Sequence, residues 1–257
     1  MKIPDTKIGI TLYNFREFCK TVNGLDKTLS NLKDIGYSVV QVSGTPLSAE
    51  EIRPLLDKYK MYCCATHEGL DTYRNKFEET VKRLEILGCN FTALGYPGQD
   101  FWSKDGVIKL AEELNNIGKK FREKGIIFGY HNHSDEFEKF TDKIFLEELY
   151  NRTEPENLTA EIDTYWVQYG GGNPSTWIRK MKKRIHVLHL KDFRVFQKKQ
   201  MHAEIGEGNL DWKDILNAAK YAKVRWYVVE QDEPTPGRDI FVSAEISYKN
   251  LRKLGLS

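Results

Sequence analysis

The stretch Leu158 to Asp192, LTAEIDTYWVQYGGGNPSTWIRKMKKRIHVLHLKD, decides how the chain is read. It holds two apolar runs, the first closed by a carboxylate and the second by an imidazole. Strand side chains alternate with period two, so Thr159, Glu161 and Asp163 share one face, as do Ile185, Val187, His189 and Lys191. A Gly-rich turn, Pro174 and a helix-length segment separate the runs, which predicts parallel neighbouring strands with Asp163 and His189 at the same sheet end. One unit earlier lies Ile126 to His133 (IIFGYHNH), and one unit later Trp226 to Glu230 (WYVVE). Four successive strands thus end in His131, Asp163, His189 and Glu230.

Working outward, the same alternation runs through the whole chain. Strands are predicted at Ile8 to Tyr13, Tyr37 to Ser43, Met61 to His67, and Asn90 to Leu94. Helices are predicted at Leu25 to Ile35, Ser48 to Tyr59, around Phe77 to Leu87, Ser103 to Lys124, Lys143 to Asn151, Trp212 to Tyr221, and Ile240 to Leu254. Ser48 with Glu50 and Glu51 supplies a cap and an acidic first turn, and Gly125 a left-handed stop. No linker or composition shift divides the chain. Eight strand and helix signals in 257 residues predict one domain, residues 1–257, an α/β fold of the (β/α)8 TIM-barrel type. The rival, a doubly wound open sheet, lacks its GxGxxG turn after the first strand, where NFREFCKTVNG stands. In a barrel, the C-terminal ends of different strands converge on one mouth, so the four ligand-type residues meet there.

The formal net charge of +2, from 39 Lys plus Arg against 37 Asp plus Glu, lacks the basic footprint of a nucleic-acid binder. The cluster Arg179 to Arg184 reads as a solvated helix end, where cations suit the dipole. Cys19, Cys63, Cys64 and Cys89 have no CxxC spacing, and Cys63 and Cys64 fall inside a predicted buried strand, which predicts reduced thiols without catalytic duty. MKIPDTKIG lacks a signal-peptide core and no segment reaches the ~20 apolar residues that span a bilayer, so the expectation is a cytoplasmic protein.

Two imidazoles and two carboxylates suit one divalent ion of borderline hardness (Zn, Mn, Co or Fe) better than Ca or Mg. His131, level with the strand end, is the better fifth-strand ligand, and His133 is the alternate or a substrate contact. Such an ion with open positions binds the vicinal oxygens of a hydroxyketone and stabilises the enediolate left by proton loss.

The stretches ITLYNFR, IGYSVVQVSG, THEGL, GYHNHSDEF, EIDTYWVQYGG, HVLHLKD, EIGEGNLDW, VVEQDE and ISYKNLRKLG run in order over nearly the whole chain. Together they resemble the sugar phosphate isomerase/epimerase group of the xylose-isomerase-like TIM-barrel superfamily. The resemblance implies a divalent metal at the barrel mouth, with ligands that fall on His131, Asp163, His189 and Glu230. It does not fix the reaction, because isomerases, epimerases, dehydratases and endonucleases share the scaffold. Two departures bear on this. Ketose epimerases of the superfamily carry a glutamate at the position of His131 and pair it with the last-strand glutamate, here Glu230, as acid and base. They also carry a histidine three residues after the sixth-strand aspartate, where this chain has Trp166.

Candidates for the missing acid or base are Lys191 on the His189 face, Glu161 a layer deeper on the Asp163 face, and Glu207 in the GEG turn. His67 is expected to touch substrate, and Tyr13, Tyr96, Tyr165 and Trp166 to stack on a sugar ring. His186 and His202 are read as structural. The leading function is a metal-dependent isomerase or epimerase acting on a small carbohydrate by proton abstraction next to a carbonyl. The alternative is a dehydratase or lyase on a keto-sugar or inosose. A multi-metal endonuclease and a non-catalytic carbohydrate binder rank below these.

Overall fold

Short runs that are apolar on both faces, such as Ile8–Thr11 (β1) and Val39–Val42 (β2), are buried along their whole length in the computed structural model, which describes residues 3–256. Similar runs form β3 (Tyr62–Glu68), β4 (Phe91–Leu94), β5 (Ile127–His131), β6 (Thr159–Asp163) and β7 (Ile185–Leu190). An antiparallel hairpin, β8 (Asp192–Phe196) and β9 (Lys199–Ala203), then leaves the barrel before β10 (Trp226–Val229). The strands β1-β10-β7-β6-β5-β4-β3-β2 close into a parallel barrel.

Helices pack outside it: α1 (Val22–Ile35), α2 (Ala49–Tyr59), α3 (Leu70–Asn75), α4 (Phe77–Leu87), α5 (Lys104–Glu123), α6 (Phe145–Asn151), α7 (Thr164–Tyr169), α8 (Pro174–Lys180), α9 (Trp212–Ala222) and α10 (Ile240–Lys253). The α2 start is a full capping box, with the Ser48 side chain accepting from Glu51 N and the Glu51 carboxylate from Ser48 N. Asp163 closes β6 and also caps α7, its Oδ1 accepting from Trp166 N at 2.9 Å.

Apolar packing falls into two bodies. The larger lies between strands and helices; the smaller, with Val39, Ala65, Phe91, Val187, Trp226 and Val228, fills the barrel interior. Continuing each interior face by two residues leads from Val39 to Gln41, from Val187 to His189, and from Val228 to Glu230. The apolar plug is therefore the floor of a polar mouth.

Two sequence expectations are corrected. The first strand stops at Thr11, because Leu12–Phe15 turns into a 3-10 helix with Thr11 Oγ1 accepting from Tyr13 N. The β8–β9 hairpin was not expected. Its tip turns through Gln197 and Lys198 at φ 49° and 66°, without the glycine or asparagine that signals such a turn, and its strands mix polar with apolar residues and are exposed only towards the tip.

Candidate active site

Strand register brings the four predicted ligands together. Asp163 is the Cα partner of His189, His189 that of Val228, and His131 that of Glu161. Glu230 follows Val228 by two residues and so projects one rung above His189 on the same face. One donor atom from each of His131, Asp163, His189 and Glu230 lies within 4.8 Å of all the others, and all four side chains are buried.

A second ring of polar groups lies one layer deeper. Glu161 is wholly buried, with Oε2 2.6 Å from His67 Nε2 and Oε1 2.8 Å from His189 Nε2. Gln41 joins the same two imidazoles, its Oε1 2.9 Å from His189 Nε2 and its Nε2 3.2 Å from His67 Nε2. The other His189 nitrogen, Nδ1, lies 3.0 Å from Glu230 Oε2. Both nitrogens of His189 are thus fixed by carboxylates from two strands. Glu161, offered from the sequence as a candidate acid or base, is thus engaged by His189 and His67 one layer below the four predicted ligands.

Lys191 is buried at the end of β7, where its ammonium faces three carboxylates. Nζ is 2.7 Å from Asp232 Oδ2, 3.3 Å from Glu230 Oε2 and 3.7 Å from Asp163 Oδ2. Burial disfavours its charge, but Glu230, Asp163 and Asp232 outweigh that and keep its pKa above the ordinary lysine value. The adjacent Asp192 is not among its ion-pair partners. Asp192 instead accepts from Gly206 N, Gly208 N and Trp212 Nε1 and fastens the GEG turn, and a Cβ on Gly208 would lie 2.3 Å from Asp192 Oδ1.

The remaining groups divide by charge state. Burial opposes ionisation of Glu230 and Glu161, yet Lys191 with His189 holds the first, and His67 with His189 the second, below the usual carboxylate range. Burial dominates at Asp163, whose carboxyl is pushed up to about 7 against the pull of Lys191. Burial also lowers His131 well below the ordinary imidazole value, with His189 adding to it. His133 falls to about 4 through burial and then Lys191. Burial acts against a proton on His189, but Glu230 and Glu161 raise it well above the ordinary value.

A cavity of about 610 Å³ opens above these groups, and Tyr13, His67, Tyr96, His131, His133 and Lys191 are among its walls. Trp166 is half-buried beside it, its ring 5.4 Å from that of His133 and 5.1 Å from Lys191 Nζ. Tyr165 is buried against His202, ring centroids 4.4 Å apart, which is a packing position. Glu207 is not brought to the mouth: its carboxylate accepts from Arg238 Nη1 at 2.6 Å, away from the other candidates. Sequence reasoning missed Gln41, Asp232 and Asn132, whose Oδ1 accepts from Asp163 N at 3.1 Å. Asp232 could have been found as the second acid of VVEQDE; Gln41, inside an apolar run, carried no such signal.

Residues 29–245 match the family model described as xylose isomerase-like TIM barrel. The chain belongs to that family. Within curated proteins it is similar to the inosose dehydratase of Clostridium tetani (strain Massachusetts / E88), 28% identical over 144 residues, covering 50% of this chain and 48% of that protein. It is also similar to the inosose dehydratase of Bacillus cereus (strain AH820), 36% identical over 86 residues, covering 34% of this chain and 28% of that protein. The chain therefore spans about half or less of the length of these relatives. A solved sugar phosphate isomerase/epimerase from Parabacteroides distasonis ATCC 8503 superposes with a TM-score of 0.80 at 21% identity, covering 96% of this chain and 98% of that one, a likeness of fold. Among the described residues no helix is long and apolar enough to cross a membrane.

The xylose isomerase-like mouth has the donors a divalent ion needs. Among the described residues, His131 Nδ1 and Asp163 Oδ2 are buried without a hydrogen-bond partner, an arrangement that costs free energy unless a ligand meets them. With the His189 imidazole and the Glu230 carboxylate they make a mixed nitrogen and oxygen set suited to Zn, Mn, Co or Fe. A second grouping within the same 4.8 Å limit, His67, His131, Glu161 and His189, shares two of these residues.

Proposed function

We propose that this protein is a divalent-metal enzyme that removes a proton next to the carbonyl of a polyhydroxy ketone and then expels the β-hydroxyl, a dehydratase of the inosose type. The observation that carries the reading is the 3.3 Å separation between Lys191 Nζ and Glu230 Oε2. Proton acceptor and proton donor stand side by side. Epimerisation needs them on opposite faces of the substrate, and the groups presented at the end of β5 and in the loop after it are His131 and His133, which burial holds neutral. An elimination needs an acceptor at one carbon and a donor at the oxygen next to it, which one adjacent pair provides.

The roles then follow. The Glu230 carboxylate accepts the proton as the C–H bond breaks. As the neighbouring C–O bond breaks, the Lys191 ammonium delivers a proton to the departing oxygen, which leaves as water. Transfer of the proton from Glu230 to Lys191 across their contact restores both groups. Asp232 holds the ammonium in place, and Glu161 with Gln41 orients His189. His131, Asp163, His189 and Glu230 would hold the metal ion, which supplies Lewis-acid polarisation of the substrate oxygens. The inosose dehydratases that this chain resembles support the same class of reaction.

The test is incubation of Mn-loaded protein with a pentahydroxycyclohexanone in D2O. Release of water to give an unsaturated or diketone product is the expected result. Deuterium incorporation with a new epimer and no water loss would replace the dehydratase reading by the isomerase/epimerase one.

A further inference from the structure

A second chamber lies beside the mouth. A cavity of about 320 Å³ lies between the loops that follow β2 and β3 and the flank of α4. It shares Ser43, Gly44, Thr45, Pro46, His67 and Glu68 with the mouth, so the two cavities adjoin along these residues. Small-molecule sites begin at roughly 300 Å³, which gives each chamber room for a ring of its own.

The outer chamber carries the groups that read a sugar. Pro46 and Leu47 offer an apolar wall for the C–H face of a ring. Thr72 adds a hydroxyl. Glu68 Oε1 and Arg83 Nε, 3.1 Å apart and both mostly buried, place an acceptor beside a donor, the pairing that suits neighbouring hydroxyls.

Charge decides what kind of ligand fits. Lys191 is the cation of the mouth and faces three carboxylates; Arg83 is the cation of the outer chamber and faces Glu68, with Glu79 on the same wall. Among the described residues no other Lys or Arg lines either cavity. A phosphate or carboxylate in the outer chamber would meet Glu68 and Glu79 without an uncompensated cation to hold it.

We infer that the substrate is an uncharged two-ring glycoside, with a keto-polyol ring at the His131–Glu230 cluster and a second, unphosphorylated sugar ring in the chamber lined by Glu68, Thr72 and Arg83. The placement of the first ring rests on the function proposed above; the second ring rests on the chamber itself.

Calorimetry on the Mn-loaded full chain tests this with three unreactive probes: myo-inositol, a set of mono-glucosylated myo-inositols, and myo-inositol 1-phosphate. At least one glucoside should bind about 10-fold or more tighter than myo-inositol, and the phosphate no tighter. Thr72→Trp, which fills the chamber, and Arg83→Met, which removes the donor, should each abolish that gain while leaving myo-inositol binding unchanged, with folding checked by circular dichroism. Equal binding of every glucoside and free inositol, absence of binding by all probes, tighter binding of the phosphate, or survival of the gain in Thr72→Trp would overturn the inference. A glucoside gain without turnover of any ketone would leave the chamber assigned and end the reaction reading. Turnover of a free pentahydroxycyclohexanone with no glucoside gain would do the reverse.

Discussion

Lys191 Nζ lies 2.7 Å from Asp232 Oδ2, on the side of the ammonium that faces the loop after β10. The contact ties the end of β7 to that loop and fixes the ammonium where Glu230 and Asp163 also need a counter-charge. Replacing Lys191 by Met should lower kcat by about 10²–10⁴-fold, the usual loss when a positioned proton donor is removed. Metal affinity should not fall, because the variant leaves the carboxylates around the ion less neutralised. Asp232→Asn should give a smaller loss of kcat with the metal retained. Near-normal turnover of Lys191→Met, alongside intact folding, would remove Lys191 from the reaction.

Asp163→Asn and His189→Ala should each release the ion. Both side chains are buried, and their donor atoms lie within 4.8 Å of the other two ligands, so neither is replaceable by solvent without opening the mouth. In the wild type, a ligand that binds only the folded state adds about 2.7 kcal/mol at 100 times its Kd. Addition of Mn²⁺ should therefore raise the Tm of the wild type and leave both variants unmoved. Metal content equal to that of the wild type in both variants would refute the ligand set.

Glu136 gives a pH signature outside the metal ligands. Its carboxyl accepts from Tyr130 Oη at 2.7 Å and from His133 N at 2.8 Å, but burial dominates and raises its pKa from 4.5 to about 7. The folded state therefore holds this proton more tightly than the unfolded state. Its contribution is full below pH 4.5 and is lost as pH rises to about 7, on the order of a few kcal/mol. The Tm difference between wild type and Glu136→Gln should shift against the wild type from pH 5 to pH 8. A difference that does not change over that range would show that the carboxyl ionises normally.

The parts of this molecule legible in the sequence are those where strand periodicity and ligand chemistry coincide. Asp163 and His189 each end an apolar run, and a barrel brings such ends together, so the quartet and the closed sheet followed from the same pattern. The buried Cys63 and Cys64 followed from their place inside a strand. Gln41 lay beyond reach because its role depends on which strands become neighbours around the mouth, whereas Asp232, the second acid of VVEQDE, was legible beside Glu230. The β8–β9 hairpin was hidden for a different reason: its strands bury one end only, leaving Val195 and Phe196 exposed at the tip, and no glycine marks its turn. Glu207 shows the opposite error, an acid in a glycine-rich turn whose local pattern suggested chemistry but whose partner is Arg238.

Glu161 offers the sharpest separation between holding the metal and moving protons. It touches His67 at 2.6 Å and His189 at 2.8 Å, and it lies one layer below the donor quartet. Carboxylates that orient a ligating histidine typically contribute 10–100-fold to metal affinity or activity. Glu161→Gln retains the volume but substitutes an amide for the carboxylate that both imidazoles face, so His189 loses part of what fixes its ring and its proton. Metal affinity should fall by about 10–100-fold on that basis. At saturating metal the quartet reforms, and kcat should return close to the wild-type value. Glu230→Gln should behave differently, losing turnover that added metal does not restore. If Glu161→Gln instead keeps full metal affinity and loses kcat, Glu161 touches the reaction directly, and the donor–acceptor pair formed by Lys191 and Glu230 is incomplete without it.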